Sequence, residues 1–442
     1  MKQRNIVIVG GGPAGRIIAY ALHAAGKGLT VTVIKDEELN ANRCAIPYGI
    51  SPKKPPEKYI IPNTLITDNG TELIIDRVEK VDPQKGRLST SHSGDFAYDY
   101  LVLATGSKPI IPPIPGIEAQ KIVTVRSKDD LLTLRDFAQR YKKVVVVGGG
   151  HIGVEVAVVL KGLGLAVTLV EAMPHILLAT MEESMALEIE ENLSKNGIEI
   201  LTNAKVTEFL AQDAKVCGVK LEDGSEIPTD FVVLSIGVAP NTDLATAGIN
   251  ASKFGFITDD FMRTNIENIY TAGDCAEKKS FITKKPIRGE LGTNAVFMAR
   301  VVGANLLGKK KRFPGIINAS VNETFDLSFG SAGLTEKAAF VEGLEFITGY
   351  SEVPNKYPMM DGVAPIKTKL LFEKQTKRII GGSILRQDHG AVHNVDFISL
   401  AIQMGVTLEQ LQDFQYATHP LLAARPSDNM YLFAVQDALK KL

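Results

Sequence analysis

The chain has 442 residues, enough for about three domains. Hydrophobic residues make up 45 % and charged residues 22 %, the balance of a globular protein with a sizeable core. A net charge of −1 argues against a nucleic-acid or acidic-membrane partner and leaves a small molecule or another protein; the short basic runs SPKKPPEK and GKKKR read as solvated loops.

The N-terminal MKQRNIVIVGGG runs straight into a strand, with no room for a signal peptide, and no apolar run approaches the roughly 18 residues that span a bilayer. RNIVIVGGGPAGRIIAYAL (4–22) predicts a buried strand, a turn and a helix, with Gly10, Gly12 and Gly15 spaced as G-x-G-x-x-G. In that pattern the first glycine makes the turn, the second lets the backbone touch a pyrophosphate, and the third lets helix and strand pack closely. The helix N-terminus then faces the phosphates. The following strand, LTVTVIK, ends at Lys35 where an acid for the ribose is usual, which leaves Asp36 or the backbone alone for that contact. ANRCAIPYGI (41–50) carries a lone cysteine, Cys44, which is either a small core residue or a reactive sulfur. Pro47 after it suits a first helical turn.

YDYLVLATGSKP (98–109) is a strand ending in Ala104, Thr105 and Gly106, and KPIIPPIPG (108–116) is a proline-rich linker. KKVVVVGGGHIGVEVAVVL repeats the finger with Gly148, Gly150 and Gly153, 138 residues after the first. Its next strand, LAVTLVE, ends at Glu171, 18 residues past Gly153 and close to the roughly 20 expected of a carboxylate on the adenosine ribose. EAMPHIL offers only His175 as a cation for a 2′-phosphate, so NADH is favoured over NADPH. FVVLSIGVAPNTDL (231–244) is a crossing strand with Gly237, and NIYTAGDCAE (268–277) a strand ending in Gly273 and Asp274. LGTNAVFMARVVGANLLG predicts an amphipathic helix and KTKLLFEKQTKRIIGGSIL a hairpin. The three cysteines, Cys44, Cys217 and Cys275, are odd in number and widely spaced; they form no disulfide framework and fit a reducing cytoplasm. Cys217 is expected to pack in its strand, and Cys275 to lie near the cofactor by position only.

The two fingers, the A-T-G strand end and the G-D strand end stand in order, and the whole chain resembles the pyridine nucleotide–disulfide oxidoreductases. The resemblance implies an α/β fold: two Rossmann-like dinucleotide-binding domains, for FAD (1–112 and 243–315) and NADH (113–242), and a C-terminal mixed α/β dimerisation domain (316–442). It implies cofactor-binding roles for Gly10, Gly12, Pro13, Ala14, Gly15, Lys35, Asp36, Arg43, Ala104, Thr105, Gly106, Gly273 and Asp274 toward FAD. Toward the nicotinamide nucleotide it implies roles for Gly148, Gly150, His151, Ile152, Gly153, Glu155, Glu171 and Gly237.

Two-cysteine members carry C-x-x-x-x-C at the flavin, but five residues after Cys44 stands Gly49. Cys44 therefore resembles the single-cysteine branch: NADH oxidase, NADH peroxidase, coenzyme A-disulfide reductase and persulfide reductase. CAIPY is most similar to the C-x-x-P-Y of the last two. Peroxidases carry a histidine where this chain has Pro13. Coenzyme A-disulfide reductases use two tyrosines of the partner subunit; NKYPMM offers Tyr357 and FQYATHPLLAARP offers Tyr416. The same stretch resembles the H-P segment of two-cysteine reductases, so His419 rivals Tyr416 as proton donor, although the orienting glutamate is replaced by Ala424. Lys53 and Lys54 could meet coenzyme A phosphates or solvent. By resemblance Cys44 opens a helix beside the flavin. Lowering a thiol from about 8.5 to about 6 needs roughly 3.4 kcal/mol, of which a helix dipole supplies up to about 2; Arg43 adjoins it.

The implied reading is a cytoplasmic, homodimeric, NADH-dependent FAD enzyme. It reduces a small disulfide, persulfide or polysulfide through Cys44, catalysed with Tyr416, His419 and Tyr357. The alternatives are an NADH oxidase, an electron-transfer flavoprotein reductase serving a protein partner, and a non-catalytic NADH sensor.

Overall fold

The computed structural model describes residues 4–26 and 28–442. In the first strand, Arg4–Val9, Ile6 and Ile8 point to one face and Val7 and Val9 to the other, all buried. A run of apolar residues without alternation is what a strand covered on both faces requires, and burying each such side chain contributes about 1.5–3 kcal/mol. The sheet it joins is wholly parallel, in the order Ile269–Thr271, Tyr100–Leu103, Arg4–Val9, Leu29–Lys35, Glu72–Ile75. Helices Pro13–Ala24 and Gly292–Leu306 cover one face. A three-stranded antiparallel sheet, Val78–Asp82, Arg87–Thr90 and Asp95–Ala97, covers the other.

The second nucleotide unit repeats this plan. Its parallel sheet runs Ile122–Val123, Phe231–Leu234, Lys143–Val147, Ala166–Val170, Glu199–Leu201. Val144 and Val146 face helices Lys128–Arg140, His151–Gly162 and Glu183–Lys195, while Val145 and Val147 face an antiparallel meander. Helix Lys128–Arg140 is fixed at its start by a capping box between Ser127 and Asp130. The two crossings between units run side by side as an antiparallel ribbon, Ser107–Pro109 against Val238–Pro240.

Residues from 320 onward build an antiparallel sheet, Ser320–Thr324, Leu327–Gly333, Ile379–Arg386, Pro365–Glu373, Phe346–Pro354. Pro365–Glu373 and Ile379–Arg386 are the expected hairpin. Helices Ala391–Met404 and Met430–Leu439 cover one face. From the other side Leu327, Phe329 and Leu385 enter the core that also holds Ile46 and Ile50, so the Cys44 segment lies where all three units meet. Among the described residues, no helix is long and apolar enough to cross a membrane.

Candidate active site

Each finger is shaped by what its glycines touch. Gly10 has φ +115°, and a Cβ there would stand 2.1 Å from the Ala104 carbonyl oxygen; one on Gly15 would stand 2.0 Å from the oxygen of Gly10. Only glycine fits either place. Gly12, the N-cap of helix Pro13–Ala24, has nothing within 4 Å of its Cβ position, and Pro13 opens the helix. The second finger matches: a Cβ on Gly153 would meet the Gly148 oxygen at 1.9 Å, while that of Gly150 would enter open space. The open positions at Gly12 and Gly150 are the cradles through which a pyrophosphate reaches the backbone. Ile152 stands half-exposed in the first turn of that helix.

The strand ends differ between the units. Gly10 N–H donates to the Ile34 oxygen and Gly148 N–H to that of Val170, so Lys35 and Glu171 occupy equivalent positions. Glu171 accepts N–H bonds from Gly149 (2.6 Å) and Met173 (2.7 Å) beside the second finger. Lys35 does not act as a cofactor-facing group. Its stem lies against Gly11, and its buried ammonium donates to Asn40 (2.8 Å), Asn63 (2.7 Å) and the Glu38 carbonyl (3.2 Å). Burial pushes its pKa down. Asp36 beside it is exposed.

The crossing ribbon joins the remaining pieces. Thr105 Oγ1 donates to the Asn241 carbonyl at 2.7 Å, Asn241 N–H donates to Gly106 O at 2.9 Å, and Ile110 N–H donates to Gly237 O at 3.0 Å. The Asp274 carboxylate accepts from Ser107 Oγ at 2.7 Å and pairs with Arg126 at 3.5 Å. Gly273 lies against Ala14 of the first finger. Arg126, which sequence reasoning missed, is enclosed near Gly106 with its Nε unpartnered, and burial together with nearby Arg43 pushes it down to about 10. A largely buried guanidinium that pairs with Asp274 and leaves its Nε free beside Gly106 fits an anionic dinucleotide. In that cleft Gly12, Gly106, Arg126 and Asp274 would hold FAD, and Gly150 and Glu171 the nicotinamide nucleotide.

Cys44 lies in a single 3-10 turn, Arg43–Ala45, followed by a four-residue helix, Ile46–Gly49. The expected helix is thus too short for a full dipole. The residue is exposed, while its sulfur is partly enclosed near Gly292, at the start of helix Gly292–Leu306. Burial, then Glu155 and Asp274, push the thiol up, against its backbone N–H and Arg43, so the protein's own groups oppose the expected thiolate. Arg135 clamps the end of the helix, donating to the carbonyls of Gly49 (2.5 Å) and Ser51 (2.8 Å). The position five residues on, where a second cysteine would stand, is Gly49, buried against Leu131 and Tyr59. Cys275 is buried against the Leu103 and Ala272 carbonyls. Cys217, contrary to expectation, is exposed, because its strand turns that position outward from the core.

His151 corrects another expectation. Its ring is enclosed between Thr180 Oγ1 (2.9 Å) and Asn322 Nδ2 (3.3 Å), and burial pushes it down to about 4. It ties the second finger to the C-terminal sheet instead of facing a nucleotide. The Tyr416 hydroxyl donates to the Pro426 carbonyl, Tyr357 N–H donates to Pro420 O, and His419 Nδ1 accepts from Leu421 N–H. All these partners lie in the C-terminal unit, so one chain by itself does not bring Tyr357, Tyr416 or His419 to Cys44.

Two dinucleotide fingers facing one presented cysteine define a two-nucleotide redox enzyme. The chain belongs to the pyridine nucleotide-disulphide oxidoreductase family: that family's model matches residues 4–299, and the model of its dimerisation domain matches residues 324–429. It is accordingly an FAD- and NAD(P)H-dependent oxidoreductase. It is 32 % identical to an NADH oxidase of Methanocaldococcus jannaschii over 99 % of each chain. It is 29 % identical to an NAD(P)H coenzyme A polysulfide/persulfide reductase of Pyrococcus horikoshii, over 94 % of this chain and 95 % of that one. The solved NAD-dependent persulfide reductase from A. fulgidus superposes with a TM-score of 0.94 at 30 % identity, over 99 % of this chain and 83 % of that one.

Proposed function

We propose that the enzyme uses NADH to reduce low-molecular-weight persulfides, polysulfides or disulfides of the coenzyme A type, with Cys44 as its single redox-active sulfur. The observation that carries this reading is the Cys44 turn. One free cysteine is presented and the position five residues on is Gly49, so no resolving cysteine stands in this turn and the partner sulfur comes from the substrate. FAD, when bound, supplies the two-electron relay between NADH and sulfur. Cys44 attacks the S–S bond as its thiolate, keeps one half as a mixed disulfide and releases the other as a thiol. The relatives named for persulfide chemistry support the substrate class. Glu171, where a 2′-phosphate would meet a carboxylate, supports NADH. The dimerisation-domain match supports a homodimer in which the loops of Tyr357, Tyr416 and His419 meet Cys44 of the other subunit; Met359, Leu421 and Leu422 on those loops are exposed apolar residues suited to an interface. Three free cysteines among the described residues fit a reducing compartment such as the cytoplasm.

The test is anaerobic NADH oxidation with coenzyme A disulfide, coenzyme A persulfide, polysulfide and peroxide side by side, against oxygen in a parallel run. A sulfur compound should be the fastest acceptor. Oxygen as the fastest would favour the second reading, an NADH oxidase, which the Methanocaldococcus relative supports.

A further inference from the structure

The element that follows Cys44 is small. Helix Ile46–Gly49 has four residues, and the last turn of a helix leaves its carbonyls without partners inside the helix. A helix of this length does not hold itself in water. It is seated on helix Lys128–Arg140 of the second unit. Leu131 lies against Gly49, where a Cβ would meet it at 2.8 Å. Four residues further along the same face, Arg135 Nη1 donates to the Gly49 carbonyl at 2.5 Å and to the Ser51 carbonyl at 2.8 Å. Arg140, on the same helix, makes an ordinary surface pair with Asp136. Arg135 instead bonds to backbone 86 and 84 residues earlier in the chain, in the other unit.

The helix that supplies Arg135 is itself fixed. Asp130 accepts from the backbone N–H groups of Arg126 (2.8 Å) and Ser127 (3.0 Å) and from Thr124 Oγ1 (2.9 Å), which ties the first turn to the segment before it. Just ahead of that turn stands Arg126, paired with Asp274 in the nucleotide cleft. Leu131 and Leu134 lock the helix into the core that also holds Ile46 and Ile50. One packed element thus has the Arg126–Asp274 pair at its start and the Cys44 segment on its flank.

We propose that Arg135 is a positioning residue for the thiol–disulfide step. By bridging the Gly49 and Ser51 carbonyls it holds the Cys44 turn at a fixed place relative to the nucleotide cleft. The proposal rests on the reading of Cys44 given above. In the step it serves, the Cys44 thiolate bonds to one substrate sulfur, the S–S bond breaks, and the electron pair leaves on the second sulfur. Arg135 acts on these atoms only through the backbone it holds. Such placement matters because a shift of about 1 Å in a reacting group can cost about 100-fold in rate.

The test compares the wild-type holoenzyme with Arg135→Met, which keeps the apolar stem, and Arg135→Lys, which restores a donor on a flexible stem. Single-turnover reduction of bound FAD by NADH should change less than about twofold in either variant, whereas release of the first thiol from saturating coenzyme A disulfide should slow about 10- to 100-fold in Arg135→Met. Arg135→Lys should recover part of that loss. Alkylation by iodoacetamide without substrate, followed by mass on the Cys44 peptide, should move the other way. A released turn uncovers the partly enclosed sulfur, so the rate should rise about threefold or more in Arg135→Met. A residue that only stabilised the fold would lower the unfolding midpoint without splitting the two half-reactions. Equal losses in both half-reactions, or an unchanged alkylation rate, would overturn the proposal. If the wild type releases no thiol from coenzyme A disulfide, the substrate reading fails instead, and the alkylation rate alone decides the positioning.

Discussion

At Lys35 a single residue shows what a sequence tells and what it hides. The strand end and the departure from an acid were legible at once, since both follow from position relative to the finger. The role was not, because it depends on Asn40, Asn63 and a carbonyl that the folded loops bring together. Replacing Lys35 by Met should strand these three acceptors and destabilise the protein by about 1–3 kcal/mol in urea unfolding, with weaker retention of FAD; an unchanged midpoint would contradict it. Arg126 was illegible for the same reason. Its partner, Asp274, is 148 residues away, and nothing near Arg126 in the chain points to it. Helices Ile46–Gly49 and His151–Gly162 belong to different units, and only the fold packs them together.

Elements were read best where their requirements are local. A finger needs small residues at fixed spacing whatever surrounds it, and both fingers were legible for that reason. Their glycines should nonetheless respond differently to alanine. Gly10→Ala forces a Cβ onto the Ala104 carbonyl at a positive φ and should prevent folding of the first unit, seen as loss of soluble protein. Gly12→Ala meets open space and should fold, yet bind FAD at least about tenfold more weakly in a fluorescence titration, because its methyl enters the pyrophosphate cradle. Equal behaviour of the two variants would contradict this division. The helix after Cys44 was expected from Pro47 and from resemblance, not from periodicity. Four residues are too few to show periodicity, and what holds them is tertiary: Arg135 on their carbonyls and the core around Ile46 and Ile50.

At the scale of the molecule, the order of motifs was enough to expect two nucleotide folds and a third module, but not their contacts. His151 is such a contact, joining the second finger to the C-terminal sheet through Thr180 and Asn322. Its folded pKa of about 4 lies below the usual 6.5. The neutral ring therefore contributes stability that is complete above pH 6.5 and lost as pH falls through 4, about 3 kcal/mol in all. His151→Gln should flatten the stability–pH curve across that window in denaturant titrations, and a curve as steep as the wild type would contradict it. The three units converge on Cys44, and the account stands or falls there. The most direct measurement is anaerobic, coenzyme A disulfide-dependent NADH oxidation by Cys44→Ser beside the wild type. The account predicts that the variant keeps its FAD and loses turnover at least about a hundredfold; undiminished turnover would contradict it.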